Sequence, residues 1–251
     1  TELTIELAKL AVQRYEPSKH FKEFHVIDCK TEIDFGSSVV SFFRTTHSIP
    51  DSVGISLKTS EGSIVYTGDF KFDQTAIPMY QTDFARLAEI GQSGVLALLS
   101  TSSNAENPAT VASELQIADE VYDNIRYWEG RIIVACVASN LQRLQQVLDA
   151  AYRSGRKVVL TGQDSGRIIK TTMKLGKLTL PDENLLVTLK EMKNYADEEI
   201  LILETGQMGE PIKSLQKMAS GSHRAVRVKE GDLAYIATTP TIAMETVMAR
   251  T

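Results

Sequence analysis

A change in the spacing of apolar residues near Pro108 is the feature that most restricts how this chain can fold. Residues 24–73 contain short strand-like runs joined by tight turns, whereas after Pro108 apolar runs alternate with amphipathic helical segments. Strands in direct succession form an antiparallel meander, and strands that alternate with helices form a parallel sheet covered by helices. The chain is therefore predicted to be an α/β protein with a domain boundary at Asn107-Pro108, which separates residues 1–108 from residues 109–251.

The runs of β-branched, aromatic and apolar residues predict strands at residues 39–45, 53–57, 63–67, 95–99, 131–137, 157–160, 200–203 and 233–237. Helical spacing predicts helices at residues 3–13, 82–90, 111–127, 141–152, 166–174, 211–218 and 241–251. The run at residues 95–99 is apolar throughout, which predicts a buried strand. Because helical patterns reach both ends of the sequence, we expect the chain to be a piece of a longer protein.

The cysteines, the apolar runs and the net charge restrict where the protein is expected to be located and what it is expected to bind. Cys136 lies within an apolar run far from Cys29, so we expect a reduced, buried thiol and a cytoplasmic location. The longest apolar runs, residues 94–99 and 132–138, are far shorter than the roughly 20 residues of a membrane span, and residues 1–10 lack the features of a signal peptide. A net charge of −5 gives no overall attraction for a polyanion. Nucleic-acid binding would therefore require a local basic patch or metal ions.

His47 and Asp69 form the candidate metal site. In a three-stranded meander the first and third strands run in the same direction, so these residues, each just past its strand, are predicted at one edge of the sheet, with backbones roughly 10 Å apart. Imidazole nitrogen and carboxylate oxygen suit zinc or manganese, and a carboxylate can bridge two metals that activate water at a phosphodiester. Capping or turn roles are common for residues in such positions, and the spacing alone leaves both readings open.

Three predicted strands of the second half run directly into turns that precede helices, at residues 138–140, 161–166 and 205–210. Such turns gather at the carboxyl edge of a parallel sheet, where backbone N–H groups at helix N-termini suit phosphate. Ser139, Asn140, Gly206 and Gln207 are therefore candidate contacts for a nucleic-acid backbone. Plain helix capping is the alternative for Ser139 and Asn140.

His223 and Arg224 begin a segment, residues 223–229, in which basic and small apolar residues alternate. A strand there would place several positive charges on one face, either as a contact for RNA or as an ordinary solvated face. The sequence contains no dinucleotide-binding G-x-G-x-x-G motif, no phosphate-loop lysine motif and no G-x-S-x-G elbow. Dinucleotide enzymes, nucleoside triphosphatases and serine hydrolases are therefore disfavoured.

The most specific runs are SFFRTTHSIPDS at residues 41–52 and YTGDFKFD at residues 66–73. Together with residues 138–140, 209–211 and 221–224 they resemble the ribonuclease J family, over essentially the whole chain. The resemblance implies that residues 1–108 are part of a metallo-β-lactamase αββα sandwich and that residues 109–251 are a β-CASP domain, incomplete at its C-terminal end, with a mainly parallel, Rossmann-like sheet. It also implies that His47 and Asp69 are catalytic metal ligands, that Asp69 bridges two metals, and that Ser139, Asn140, Gly206, Gln207, His223 and Arg224 belong to the RNA-binding domain.

Several loops depart from the family pattern. Thr101 replaces an aspartate, Gln142 replaces a histidine, Met208 lies in a changed loop, and residues 242–244 replace a Pro-Gly-Asn. Such changes are expected of a less active second paralogue that pairs with an active sister or with itself. The family's histidine-rich metal loop is expected before residue 1, so this chain by itself is expected to bind no zinc or manganese tightly and to cleave nothing.

Two functions are compatible with these residues. The first is a subunit of a metal-dependent 5′ to 3′ exoribonuclease and endoribonuclease with a partly degenerate active site. The second is a catalytically impaired RNA-binding and assembly partner of an active ribonuclease J paralogue. A third reading makes the second half an unrelated Rossmann-like small-molecule domain. None of the three involves a membrane.

Overall fold

The computed structural model describes residues 1–13, 16–18, 20–103, 105–106, 108, 111–162, 165–207 and 209–238. The chain divides into two compact units, Thr1–Gln116 and Ile117–Thr251. These units are defined by contacts within the structure and do not test the predicted domain limits, residues 1–108 and 109–251, which stay a prediction. Within the described part of the chain, no helix is long and apolar enough to cross a membrane. The helix predicted at residues 241–251 lies outside the described residues.

The helices are α1 Glu2–Val12, α2 Phe84–Gln92, α3 Glu114–Arg126, α4 Leu141–Arg153, α5 Ser165–Lys174 and α6 Glu210–Ala219. The strands are β1 Glu32–Asp34, β2 Val39–Arg44, β3 Val53–Thr59, β4 Gly62–Tyr66, β5 Val95–Leu99, β6 Ile132–Val137, β7 Lys157–Thr161, β8 Leu186–Val187, β9 Ile200–Gly206 and β10 Leu233–Ile236. The helix predicted from residue 111 begins three residues later, at Glu114.

The sheet of the first unit has the strand order β1-β2-β3-β4-β5. Strands β2, β3 and β4 are antiparallel neighbours, which confirms the predicted meander. β5 pairs in parallel with β4. Because β2 and β4 both run opposite to β3, they end at the same edge of the sheet.

The core of the first unit lies between the sheet and α2. Phe43 of β2 and Val65 of β4 pack against Ile90 and Leu87 of the helix. Gly54 faces Phe43 across the β2–β3 ladder, and a Cβ atom at Gly54 would lie 2.2 Å from Cζ of that ring. The absence of a side chain at Gly54 is therefore what allows the ring to lie against β3.

The prediction that residues 95–99 form a buried strand was wrong in one respect. The strand forms, but all five of its residues are exposed, and Leu98 is 64% exposed. β5 is the last strand of its sheet and has a hydrogen-bonded neighbour on one side only. An apolar run shows that burial would be favourable, but it does not specify the layer that would cover the strand.

The sheet of the second unit is fully parallel, with the order β10-β6-β9-β7-β8. The connection from β6 to β7 through α4 passes β9 in one direction, and the connection from β9 to β10 through α6 passes β6 in the other. Right-handed crossovers therefore place α4 and α6 on opposite faces of the sheet. The apolar face formed by Ile133, Val159 and Ile202 packs against Leu215 and Met218 of α6. The predicted Rossmann-like parallel sheet is confirmed.

Candidate metal and nucleic-acid sites

His47 and Asp69 lie beside each other where β2 and β4 end, as the topology predicted. Thr46 and Lys71 form an isolated antiparallel bridge, in which the N–H of Lys71 donates to the carbonyl of Thr46 across 2.9 Å. The bridge brings the turn after β2 against the turn that contains Asp69. The carboxylate of Asp69 is close enough to act electrostatically on the imidazole of His47.

The turn that carries Asp69 is positioned by its neighbours in the first unit. The N–H of Thr67 donates to the carbonyl of Leu99 across 3.1 Å, which continues the pairing of β4 with β5. Gly68 then takes a left-handed conformation with φ +61°, which glycine adopts without the strain that a side chain brings. On the other side, the hydroxyl of Thr82 accepts from the N–H of Thr46 across 3.0 Å and fixes the residue before His47.

The protonation state of His47 suits metal binding. Partial burial lowers the pKa of its imidazole from the ordinary histidine value, and the negative charge of Asp69 only partly opposes this effect. The imidazole is therefore neutral near pH 7, and a neutral ring nitrogen is the form that ligates a metal. Asp69 is exposed, so its carboxylate oxygens are available to a ligand.

The donor set is incomplete within the part of the chain that the structure describes. No group of three or more His, Cys, Asp or Glu side chains there could hold a metal ion. One imidazole and one carboxylate suit part of a zinc or manganese shell, but a tetrahedral shell needs four ligands. Thr101 lies next to this site, because its N–H donates to the hydroxyl of Thr67 across 3.4 Å. A hydroxyl group thus stands where the family resemblance implies a carboxylate.

In the second unit, the turns after β6, β7 and β9 meet at the carboxyl edge of the sheet, as predicted. The N–H of Ala138 donates to the carbonyl of Gly206 across 2.9 Å. Gly162, with φ +96°, lies so close to β9 that a Cβ atom there would be 1.7 Å from the carbonyl oxygen of Thr205. Residues 163, 164 and 208 of these turns lie outside the described residues.

Some of the predicted RNA-contacting groups at this edge already make hydrogen bonds within the protein. Asn140 is the N-cap of α4, and its side-chain oxygen accepts from the N–H of Arg143 across 3.0 Å. Ser139 is exposed, while Gly206 is buried. The N–H of Gln207 donates to the carboxylate of Glu210 across 2.7 Å, so this group is not free for a phosphate. Their role as RNA contacts stays a prediction, with Ser139 the least engaged of the four.

A cluster of buried polar groups at the same edge was not foreseen from the sequence. The hydroxyls of Thr161 and Thr205 and one carboxylate oxygen of Glu204 are buried without a hydrogen-bond partner. Thr161 and Glu204 are paired positions on β7 and β9. The predicted strand ended at residue 203, whereas β9 continues to Gly206. An acidic residue directly after an apolar strand was the only signal of this cluster in the sequence.

His223 and Arg224 lie elsewhere. The strand considered for residues 223–229 does not form. The N–H of His223 donates to the carbonyl of Lys217, and its Nδ1 accepts from the N–H of Val226 across 3.0 Å. These bonds hold the segment at the C-terminal end of α6, whereas Gln207 precedes its N-terminal end. The ten residues of α6 span about 15 Å, so the structure does not bring His223 and Arg224 together with the strand-end turns.

The two cysteines are free thiols. Burial raises the pKa of Cys136 to about 12, although the positive charge of Arg143 opposes the shift. A thiol with so high a pKa is a poor nucleophile and a poor metal ligand near neutral pH. The predicted reduced, buried thiol is confirmed.

Comparison with protein families identifies one match. Residues 129–248 match the model described as the ribonuclease J β-CASP domain. This range begins just before β6 and contains the parallel sheet and the strand-end turns.

The relatives are similar over the whole chain. It is 57% identical over 250 residues to Ribonuclease J 2 of Streptococcus pyogenes, and 42% identical over 251 residues to Ribonuclease J2 of Bacillus subtilis. In both cases all of this chain is covered but only 45% of the relative, so the chain spans less than half the length of these proteins. A crystal structure of a protein of unknown function from Enterococcus faecalis V583 superposes with a TM-score of 0.62 at 12% identity, covering 99% of this chain and 65% of the other, and this likeness concerns the fold alone.

Proposed function

The chain belongs to the ribonuclease J family, and on this basis we propose that the complete protein degrades and processes RNA by metal-dependent hydrolysis of phosphodiester bonds. The observation that carries the proposal is the juxtaposition of His47 and Asp69 at one edge of the first sheet. We assign the first unit to the metallo-β-lactamase part of the family architecture. The proposed activity includes 5′ to 3′ exonucleolytic and endonucleolytic cleavage.

His47 and Asp69 would hold zinc or manganese together with donors from other parts of the complete protein. A bound ion of this kind would activate water for attack on the phosphodiester. The chain's own contribution is a neutral imidazole, kept so by burial, and an exposed carboxylate held beside it. Because both turns are fixed by backbone hydrogen bonds, the two donors would meet the ion without a large loss of conformational freedom.

The RNA backbone is proposed to bind at the carboxyl edge of the sheet of the second unit. Ser139 offers an exposed hydroxyl there, and the three turns that meet at this edge precede helices. Phosphate is favoured at helix N-termini by the free N–H groups and the helix dipole. The contacts would be to the backbone rather than to bases, so they would not select a sequence.

A second function is favoured by Thr101. Its hydroxyl donates to Ser103 and replaces the carboxylate that the family resemblance implies beside the metal turn. A protein with this change would retain RNA binding but have a weakened metal site. It would then act in the cytoplasm mainly as an RNA-binding and assembly partner of an active ribonuclease J paralogue, or as an oligomer with itself.

The deciding experiment is a cleavage assay with the complete protein and a 5′-monophosphorylated RNA. After chelation of metals, we expect no cleavage, and we expect manganese to restore it. If the protein is an assembly partner, it binds the RNA without cleaving it but raises the activity of its paralogue. Absence of cleavage and of any effect on the paralogue would contradict both functions.

The carboxylate of Glu210 gives a separate test of the RNA-binding edge. We expect Glu210→Gln to strengthen RNA binding by the complete protein about threefold, because it removes one negative charge beside the proposed phosphate path. Affinity is measured by filter binding at several salt concentrations. The matched control is Glu230→Gln, which removes the same charge just before β10, at the opposite edge of the sheet. Equal changes in the two variants would place the RNA elsewhere.

A further inference from the structure

Lys71 connects both turns of the candidate metal site to the beginning of α3. Its N–H donates to the carbonyl of Thr46, the residue directly before His47, and it follows Asp69 by two positions. Its ammonium group donates to the carbonyl of Ala112 across 2.7 Å and to the carboxylate of Glu114 across 2.8 Å. One residue thus joins three segments of the first unit that are distant in sequence.

Asp73 also bonds to the beginning of α3, beside Lys71. It is only 5% exposed, and one of its carboxylate oxygens accepts from the N–H of Glu114 across 2.7 Å. The other accepts from the N–H and the hydroxyl of Thr75. Burial by itself would raise the pKa of Asp73, but these hydrogen bonds and the charge of Lys71 outweigh it and lower the pKa. Asp73 is therefore ionised at neutral pH and fully engaged in structural bonds.

The ion pair between Lys71 and Glu114 is better shielded than a surface pair. The side chains are 21% and 15% exposed, and the ammonium also lies 3.5 Å from a carboxylate oxygen of Asp73. Hydrogen bonds to charged, partly buried groups are stronger than neutral or exposed ones. The two bonds made by the ammonium group can thus restrain the turn that follows Asp69.

We propose that Lys71 is a positioning residue, which holds the turns of His47 and Asp69 in the mutual geometry that allows both side chains to ligate one metal ion. This inference rests on the proposed function. Asp69 is exposed and follows Gly68, so the position of its carboxylate depends on the bonds made by the residues on either side of it in the turn. The backbone of Lys71 joins the turn to Thr46, and its side chain ties that joined pair to Ala112 and Glu114.

The test compares variants of the complete protein in two measurements. The first is hydrogen exchange by mass spectrometry of residues 45–49 and 67–72 without metal, and the second is the dissociation constant for manganese. In Lys71→Met we expect exchange of both segments to become about tenfold faster and manganese binding to become about tenfold weaker. Lys71→Arg, which keeps the charge and the donors, should restore most of both. Glu114→Gln should show smaller changes of the same kind, and it keeps the test valid if Lys71→Met does not fold.

Lys58→Met is the matched control. Lys58 is exposed on β3 and pairs with Ser63, at the start of β4 and far from the site turns. We expect it to change neither measurement. Faster exchange without weaker manganese binding would overturn the positioning role of Lys71. Unchanged exchange in both Lys71→Met and Glu114→Gln would show that the bond between these two side chains does not restrain the turns. A wild-type protein that binds no manganese would instead contradict the first proposed function, the metal-dependent hydrolysis of RNA.

Discussion

Asp69→Ala in the complete protein is expected to lower metal-dependent RNA cleavage by about a thousandfold or more, while RNA affinity stays within about twofold. Asp69 is the exposed carboxylate whose charge acts on the half-buried imidazole of His47. Its removal takes away a charged metal ligand that no other carboxylate of the described first unit is placed to replace. RNA affinity is preserved because the proposed backbone contacts lie in the second unit.

Initial cleavage rates and filter binding measured side by side would check this expectation. Asp123→Ala is the control, since Asp123 is an exposed aspartate of α3 in the second unit and forms an ion pair with Arg126 on the same helix. Asp69→Asn should fall between the wild type and Asp69→Ala, because an amide keeps the shape but is a weaker ligand. Cleavage above about a tenth of the wild-type rate in Asp69→Ala would remove Asp69 from the metal site. If the protein is an assembly partner, Asp69→Ala should leave its effect on the paralogue unchanged.

Gly162→Ala is expected to destabilise the second unit by about 3 kcal/mol or more. A Cβ atom there would lie 1.7 Å from the carbonyl oxygen of Thr205 and 2.8 Å from its carbon, and these are backbone atoms of a central strand. The positive φ of +96° adds strain for any residue with a side chain. Relief would require β7 and β9 to separate at the edge where the RNA backbone is proposed to lie.

Urea unfolding followed by the fluorescence of Trp128 would measure this loss, because Trp128 is the single tryptophan of the chain and lies in the same unit. Gly155→Ala is the control. Gly155 also has a positive φ, +70°, but a Cβ atom there would meet nothing within 4 Å. Gly155→Ala should lower the free energy of unfolding by about 1 kcal/mol, from the backbone conformation alone. Equal losses in the two variants would mean that the contact between Gly162 and Thr205 relaxes without strain.

Periodicity and topology were sufficient to predict much of the candidate site. His47 and Asp69 follow the first and third strands of a meander, and antiparallel pairing alone places both at one edge. In the same way, strands alternating with helices made the turns at Ser139, Gly162 and Gly206 meet at the carboxyl edge of a parallel sheet. These predictions succeeded because each depends only on strand direction, which the order of elements determines.

The sequence by itself therefore determined most of the segments that become strands and helices, though not the short strands β1 and β8, and it determined which of the strand ends lie together. Only the tertiary structure decided what those ends contact: Gly162 lies against the carbonyl of Thr205, Lys71 bonds to Glu114, and His223 lies at the C-terminal end of α6. It also decided that β5 is exposed despite its apolar residues. The physical reason is the sequence distance over which each effect acts. The spacing of apolar residues indicates the local preference for helix or strand. Long-range hydrogen bonds and burial depend on groups that the folded chain brings together from distant positions.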